Sequence, residues 1–207
     1  IGGWGGAALL DSYEIERRQV GDRNVHASRF ASTGRRTWRA AWRPEIRDDT
    51  PEGRAAREAF IRVAEREQRK SNEMIGAELG YRYDGSPVVA AGDSDAPEHD
   101  FIAYRPSTWP GSRLPHVWLE DGRPVQDLIG PGYTLLRLGG RAAGCEALVA
   151  AMREIGAPFR VLDIDESHAR EVYGFDLVLL RPDMHVAWRS NLPPDDAAAL
   201  ARLVTGH

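Results

Sequence analysis

Four short apolar runs toward the C-terminal end constrain the fold more than any other feature: "YTLLRL" (133–138), "FRVLDI" (159–164), "DLVLLR" (176–181) and "HVAWR" (185–189). Runs of five or six such residues have the length of strands rather than helices. The largely apolar run at 133–138 is what a strand covered on both faces of a sheet requires. Between the first two runs, residues 142–155 carry Leu148, Val149, Met152 and Ile155 at helical spacing and read as an amphipathic helix. "DESHAREVYG" reads as a short helix capped by Asp165 or Ser167, "PDM" as the turn of a hairpin, and 195–204 as a closing helix. Ahead of them, "HVWL" (116–119) reads as a further strand and "EDGRP" as a turn.

The order β-β-α-β-α-β-β-α, with a strand–helix–strand unit, a hairpin and a final helix, is the arrangement of a thioredoxin-like domain. Periodicity alone leaves other α/β layouts open. A redox thioredoxin needs two cysteines near the first helix, one to attack and one to resolve. Here that stretch is "GGRAAGCEALV" (139–149), and Cys145 is the one cysteine of the chain. A single cysteine makes no intrachain disulfide, no CxxC pair and no thiolate zinc site, which fits a reducing, cytoplasmic setting.

The first part is mainly helical. Leu9, Leu10, Tyr13 and Val20 recur at helical spacing, predicting a helix over 7–31, followed by an irregular stretch over 32–50 with Trp38, Trp42 and Pro44. "DDTPEG" opens a second helix, with Thr50 as cap, Pro51 in the first turn and Glu52 at the positive end of the dipole; it is expected to run to Leu79 and stop at Gly80. Its polar middle, Arg66 to Lys70, reads as a solvated span, with a wall of a polar cavity as the alternative. "YRYDGSPVVAAG" (81–92) reads as a short strand with a turn. The loop "GDSDAPEHD" (92–100) marks the expected boundary, giving a helical segment 1–91 and an α/β domain 92–207.

The chain has 207 residues and a net charge of −4. Nucleic-acid binding rests on Lys and Arg neutralising phosphates, which this balance argues against. No apolar run approaches the ~20 residues of a membrane span. Glu98-His99-Asp100 is a charged loop rather than a metal site, Gly92-Asp93-Ser94 is too weak for a hydrolase, and His168 and His185 are expected at the surface.

"LLDSYEIERRQVGDRNV", "ELGYRYDGSPVV", "TWPGSRLPHVWLEDGRPVQDLIGPGYTLLRLG" and "YGFDLVLLRPDMHVAWRS" resemble, in this order, segments of flavin-dependent aromatic hydroxylases. These are the class A monooxygenases related to p-hydroxybenzoate, phenol and polyketide hydroxylases. The resemblance implies that this chain is the C-terminal portion of such an enzyme, with a missing N-terminal flavin-binding region as its partner. It implies FAD, with NADH or NADPH as reductant, in the parent enzyme and no cofactor in this chain alone. In that class a reduced flavin and O2 place one oxygen atom on an electron-rich ring. Gly3-Trp4-Gly5-Gly6-Ala7-Ala8 formally fits G-x-G-x-x-A but follows no strand, so it reads as a loop before the helix.

No catalytic, cofactor-binding or metal residue is expected here. Tyr81, Arg82 and Tyr83 are candidates for the border of the substrate region, with aromatic packing as the plain alternative. Arg17, Arg18, Arg113 and His116 are candidates for structural or docking roles. Arg17 and Arg18 are expected to pair with Glu14 or Glu16, and Arg113, stiffened by Pro110 and Pro115, with a carboxylate or with backbone carbonyls. The role expected of the chain is pocket covering or oligomerisation, with a homodimer through the first helix or a disordered N-terminus. The alternative is a stand-alone, non-catalytic thioredoxin-like interaction module, which a start codon close upstream of Ile1 would favour.

Overall fold

The computed structural model describes residues 2–139 and 144–207; residues 142 and 143 of the expected helix and part of the stretch 139–149 lie outside the described residues. The chain divides into two compact units. One comprises Ile1–Val20, Tyr81–Glu98 and Pro106–His207, the other Gly21–Gly80 and His99–Arg105.

A single helix, α1 (Ala7–Ala40), runs from the first unit into the second. It is nine residues longer than the sequence suggests, because residues 32–40, read as irregular, are helical. Ser, Thr and Gly there look like breakers. The Thr33 and Thr37 hydroxyls instead donate to the Arg29 and Thr33 carbonyls, both at 3.0 Å, so they compete with nothing outside the helix.

In the second unit, Ala27, Ala31 and Gly34 present a face of small residues to α2 (Pro51–Asn72). A Cβ on Gly34 would stand 2.6 Å from the Glu67 carbonyl oxygen, so the two backbones approach closely there. Ser71 Oγ donates to Ala31 O at 3.2 Å, and Trp38 packs edge-on against Phe60. Thr50 caps α2 as expected, its hydroxyl accepting from Gly53 N at 3.1 Å. The expected helix to Leu79 is two helices: α2 ends at Asn72, and α3 (Ile75–Leu79) follows and stops at Gly80. The break is held by residues 99–105, whose Phe101 carbonyl accepts from Ala77 N at 3.0 Å. Glu67, in the middle expected to be solvated, is buried between Arg66 and Lys70 at 2.9 and 2.8 Å.

In the first unit, residues 81–92 form no strand; Arg82 makes an isolated bridge to Ser112, and Tyr83 N and Ala90 N donate to Gly111 O and Ala187 O at 3.1 and 2.8 Å. "HVWL" likewise pairs only at Trp118 with Pro124, ahead of a one-turn helix, α4 (Val125–Leu128). The order that follows is β1 (Tyr133–Leu138), α5 (Glu146–Ile155), β2 (Phe159–Ile164), α6 (Ser167–Tyr173), β3 (Leu177–Leu180), β4 (Val186–Ser190) and α7 (Ala197–Thr205). Asp196 caps α7, accepting from Ala199 N at 2.8 Å. The sheet order is β2-β1-β3-β4, with β1 and β2 parallel and β3 antiparallel to both β1 and β4. This is the thioredoxin-like arrangement, one strand shorter than expected.

Side-chain alternation sends Leu136, Leu138, Val178 and Leu180 to one face, where they meet α6 and residues 114–125. Tyr133, Leu135, Leu177 and Leu179 go to the other, against Leu148 and Met152 of α5 and Leu200 and Val204 of α7. Each fully buried Leu contributes roughly 1.5–3 kcal/mol. β1 and β3 are therefore buried on both faces, whereas β2, expected to be buried, is an edge strand and only its last residue, Ile164, is fully covered.

Candidate functional site

Ser12, Glu16 and Val20 fall four residues apart and line the buried face of α1 in the first unit. Leu10 and Tyr13, expected on the apolar side, point outward instead. A carboxylate on a buried helix face must be paired. Glu16 accepts from Ser86 Oγ at 2.6 Å and from both arms of the Arg181 guanidinium, at 3.0 Å for the Nη2 arm and closer still for Nη1. Arg181 directly follows the third strand, and the turn it opens returns Asp183 to its Nη2 at 3.0 Å. Burial works against charge on Arg181, but Glu16 and Asp183 hold its guanidinium above its ordinary value.

Asp183 also faces His185. Its carboxylate accepts from His185 N at 3.2 Å and lies 3.4 Å from Nδ1. Burial pushes the Asp183 carboxyl up, yet the bond and charge of His185 and the charge of Arg181 outweigh it and leave it below the usual range. His185 is thus buried, not at the surface as its sequence context suggests. Its ring stacks on Tyr83, with centroids 4.3 Å apart and planes 25° from parallel, and Tyr81 lies 5.4 Å away. Arg181 covers the Tyr83 ring at 5.2 Å.

The candidates from sequence separate into two groups. Tyr81 and Tyr83 meet Arg17 here: the neighbouring Tyr83 hydroxyl holds the Arg17 guanidinium above its ordinary value, while burial raises that of the Tyr83 phenol. Arg82 is buried beside them, its guanidinium on Asp84 at 3.0 Å and on Pro97 O at 2.8 Å. Gln19 and Asp84 exchange two bonds, at 3.0 and 3.2 Å, and tie this segment to α1. Arg18, Arg113 and His116 stand apart. Arg18 pairs with Glu14 at 3.8 Å, both exposed. Arg113 is exposed and makes no ion pair among the described residues; its backbone, not its guanidinium, anchors the segment through a bridge to His185. His116 is exposed, edge-on to Trp118 at 4.9 Å.

Glu16, Ser86, Arg181, Asp183 and His185 are the members that sequence reasoning missed. One local signal existed for Glu16: it occupies the four-residue stripe that continues through Val20. The cluster matches buried charge with buried charge. Its hydrogen bonds fasten Arg181 and the 81–86 segment to α1. A second fastening lies on β4, where Arg189 covers Phe175 at 4.3 Å and Trp109 at 5.1 Å and pairs with Asp93 at 2.8 Å, which holds the Asp93 carboxyl below its usual value. Asp100 accepts from the Ile102 and Ala103 amides at 2.7 and 3.1 Å and closes a turn. Among the described residues no group of His, Cys, Asp or Glu could hold a metal ion, and no helix is long and apolar enough to cross a membrane.

Residues 3–8 do not fit a flavin pyrophosphate. Gly6 N and Ala8 N, which such a group would need, already donate to Thr205 O and Gly206 O at 2.9 and 3.0 Å. A Cβ on Gly6 would strike the Gly206 carbonyl, so this glycine serves helix-end packing.

Sheet order and buried clusters define a thioredoxin-like domain fastened to a long helix. Residues 107–206 match the family model described as aromatic-ring hydroxylase, C-terminal. The FAD-dependent monooxygenase apdD of Emericella nidulans is 37% identical over 205 residues, covering 92% of this chain and 32% of that protein. The 2,4-dichlorophenol 6-monooxygenase of Cupriavidus pinatubonensis is 30% identical, covering 96% and 38%. Among solved structures, chromopyrrolic acid-soaked RebC with bound 7-carboxy-K252c superposes with a TM-score of 0.88 at 32% identity, over 99% of this chain and 38% of that one. The chain thus spans about a third of the length of the curated relatives it matches.

Proposed function

We propose that the chain is the C-terminal part of an FAD-dependent monooxygenase that hydroxylates a phenolic or polyketide-like aromatic ring with NADH or NADPH and O2. The observation carrying this reading is likeness to FAD-dependent monooxygenases along nearly all of the chain. Residues 1–91 come from the end of the flavin and substrate domains, and 92–207 are the thioredoxin-like domain without redox cysteines. An N-terminal region holds FAD. FAD supplies the oxygen chemistry; the residues of this chain hold the shape around it. Glu16, Arg181 and Ser86 keep the domain on α1, and Tyr81, Arg82 and Tyr83 border the substrate region. Arg17, Arg18, Arg113 and His116 contact neighbouring parts of the enzyme. The whole enzyme works in the cytoplasm as a homodimer.

The test is the open reading frame around the codon for Ile1. An upstream flavin-binding region, and a product that oxidises NADH or NADPH faster when a phenol is present, are expected. A start codon immediately upstream, or a product that neither retains FAD nor responds to any phenol, would overturn the reading.

A further inference from the structure

The last turns of α1 and the one-turn 3-10 helix after it, Pro44–Arg47, carry charge that the fold does not use. Arg35, Arg39, Arg43 and Arg47 recur every fourth residue, and all are exposed. Among the described residues none of the four forms an ion pair; Arg39 lies instead over Trp38 at 5.6 Å and Arg47 over Trp42 at 5.5 Å. Elsewhere in the same unit cations are matched: Arg66 and Lys70 hold Glu67, and Arg69 holds Glu73 at 2.7 Å. The negative end of a helix favours a cation in its last turn, which accounts for Arg39 but not for Arg35 a turn earlier or Arg43 beyond the end. Trp42, between the arginines in sequence, is 47% exposed. Trp and Arg are the residues that most often carry binding energy at protein interfaces, and an arginine already stacked on a ring has less freedom left to lose.

We propose that this patch is the docking surface for a compact acidic region of a partner protein. A guanidinium fork matches a carboxylate with two parallel bonds, and Arg35, Arg39, Arg43 and Arg47 repeat that match within a short stretch of chain. An extended polyanion fits less well. Glu45, Asp48 and Asp49 are exposed among and beside the arginines and repel a phosphate backbone running past them. The net charge of −4 opposes the attraction on which nucleic-acid binding rests. The same carboxylates oppose an anionic bilayer surface, whose pull on a segment depends on clustered cations.

The test measures binding of a short fluorescein-labelled polyglutamate peptide to the full open-reading-frame product by anisotropy. Saturable binding is expected. Arg39→Gln, Arg43→Gln and Arg47→Gln together should weaken it roughly tenfold, at about a factor of two for each exposed charge pair. Arg153→Gln, Arg160→Gln and Arg202→Gln, an equal loss of exposed charge in the other unit, should leave it within about twofold. All six side chains are exposed, so both triple variants should keep the wild-type melting temperature. No binding by the full product, or equal weakening in the two triple variants, overturns the proposal. Tighter binding of polyuridylate or of phosphatidylserine vesicles than of polyglutamate overturns it in favour of a nucleic acid or a membrane.

Discussion

Arg181 holds the Glu16 carboxylate with both arms of its guanidinium across 165 residues of sequence, its Nη2 lying 3.0 Å from Oε2. Both side chains are almost fully buried, so neither charge can be left alone. Glu16→Ala or Arg181→Ala should destabilise the protein by about 3–5 kcal/mol, because each strands the other charge. Glu16→Leu combined with Arg181→Met should recover most of that loss. Urea unfolding followed by tryptophan fluorescence measures both. A single variant within about 1 kcal/mol of wild type, the range of an exposed pair, would show that the pair is solvated.

Tyr133 predicts an alkaline limb. Burial raises its phenol from 10.0 to about 12, and its hydroxyl donates to Val204 O at 2.7 Å. The folded value lies above the unfolded one. The stabilisation is therefore complete below pH 10 and lost as pH rises toward 12. Two units correspond to about 3 kcal/mol. Tyr133→Phe should cost about 1 kcal/mol at neutral pH for the lost bond. It should also flatten the fall in stability between pH 10 and 12. Parallel curves for wild type and variant through that window would contradict the assignment.

Two glycines on α1 should respond oppositely to alanine. Gly21 has nothing within 4 Å of a built Cβ, so Gly21→Ala should stabilise by up to ~1 kcal/mol through helix propensity alone. Gly34→Ala meets a backbone oxygen at 2.6 Å, which cannot rotate away. Its overpacking cost of about 1–3 kcal/mol exceeds the propensity gain, so the melting temperature should fall. Stabilisation by both variants would mean that α1 and α2 are not packed this closely.

Strands buried on both faces announce themselves, since few polar residues interrupt them; this is why β1, with only Thr134 and Arg137 among its apolar residues, and β3 were legible from 133–138 and 176–181. Residues 32–40 were not, because Thr33 and Thr37 signal a loop by type yet bond back into the helix. Residues 81–92 looked like a strand because aromatic residues favour pleated surfaces. Here Tyr83 is used for packing on His185 rather than for a ladder. Of the site, Tyr81, Tyr83 and Arg17 were visible as candidates, while Arg181, Asp183 and His185 were not. A charged residue next to a strand looks solvent-facing until its partner is known, and Glu16 is supplied from a helix far away in sequence. Fold was thus written locally, and the fastening was written in pairs.

Cys145 should be chemically quiet. It is almost fully buried in the core beside α5, and burial pushes its thiol pKa up more than the neighbouring Arg137 draws it down. Attack requires thiolate, so both its ionised fraction and its access are reduced. In the native protein Cys145 should react with a disulfide reagent roughly tenfold or more slowly than in urea. Cys145→Ala should leave stability within about 1.5 kcal/mol, as a small change of buried volume. Cys145→Ser should cost more, roughly 1–3 kcal/mol, if its hydroxyl finds no partner in that apolar setting. No insulin-reducing turnover is expected from wild type. Rapid labelling of the native thiol, or reductase turnover abolished in Cys145→Ser, would make this a reactive cysteine rather than a core residue.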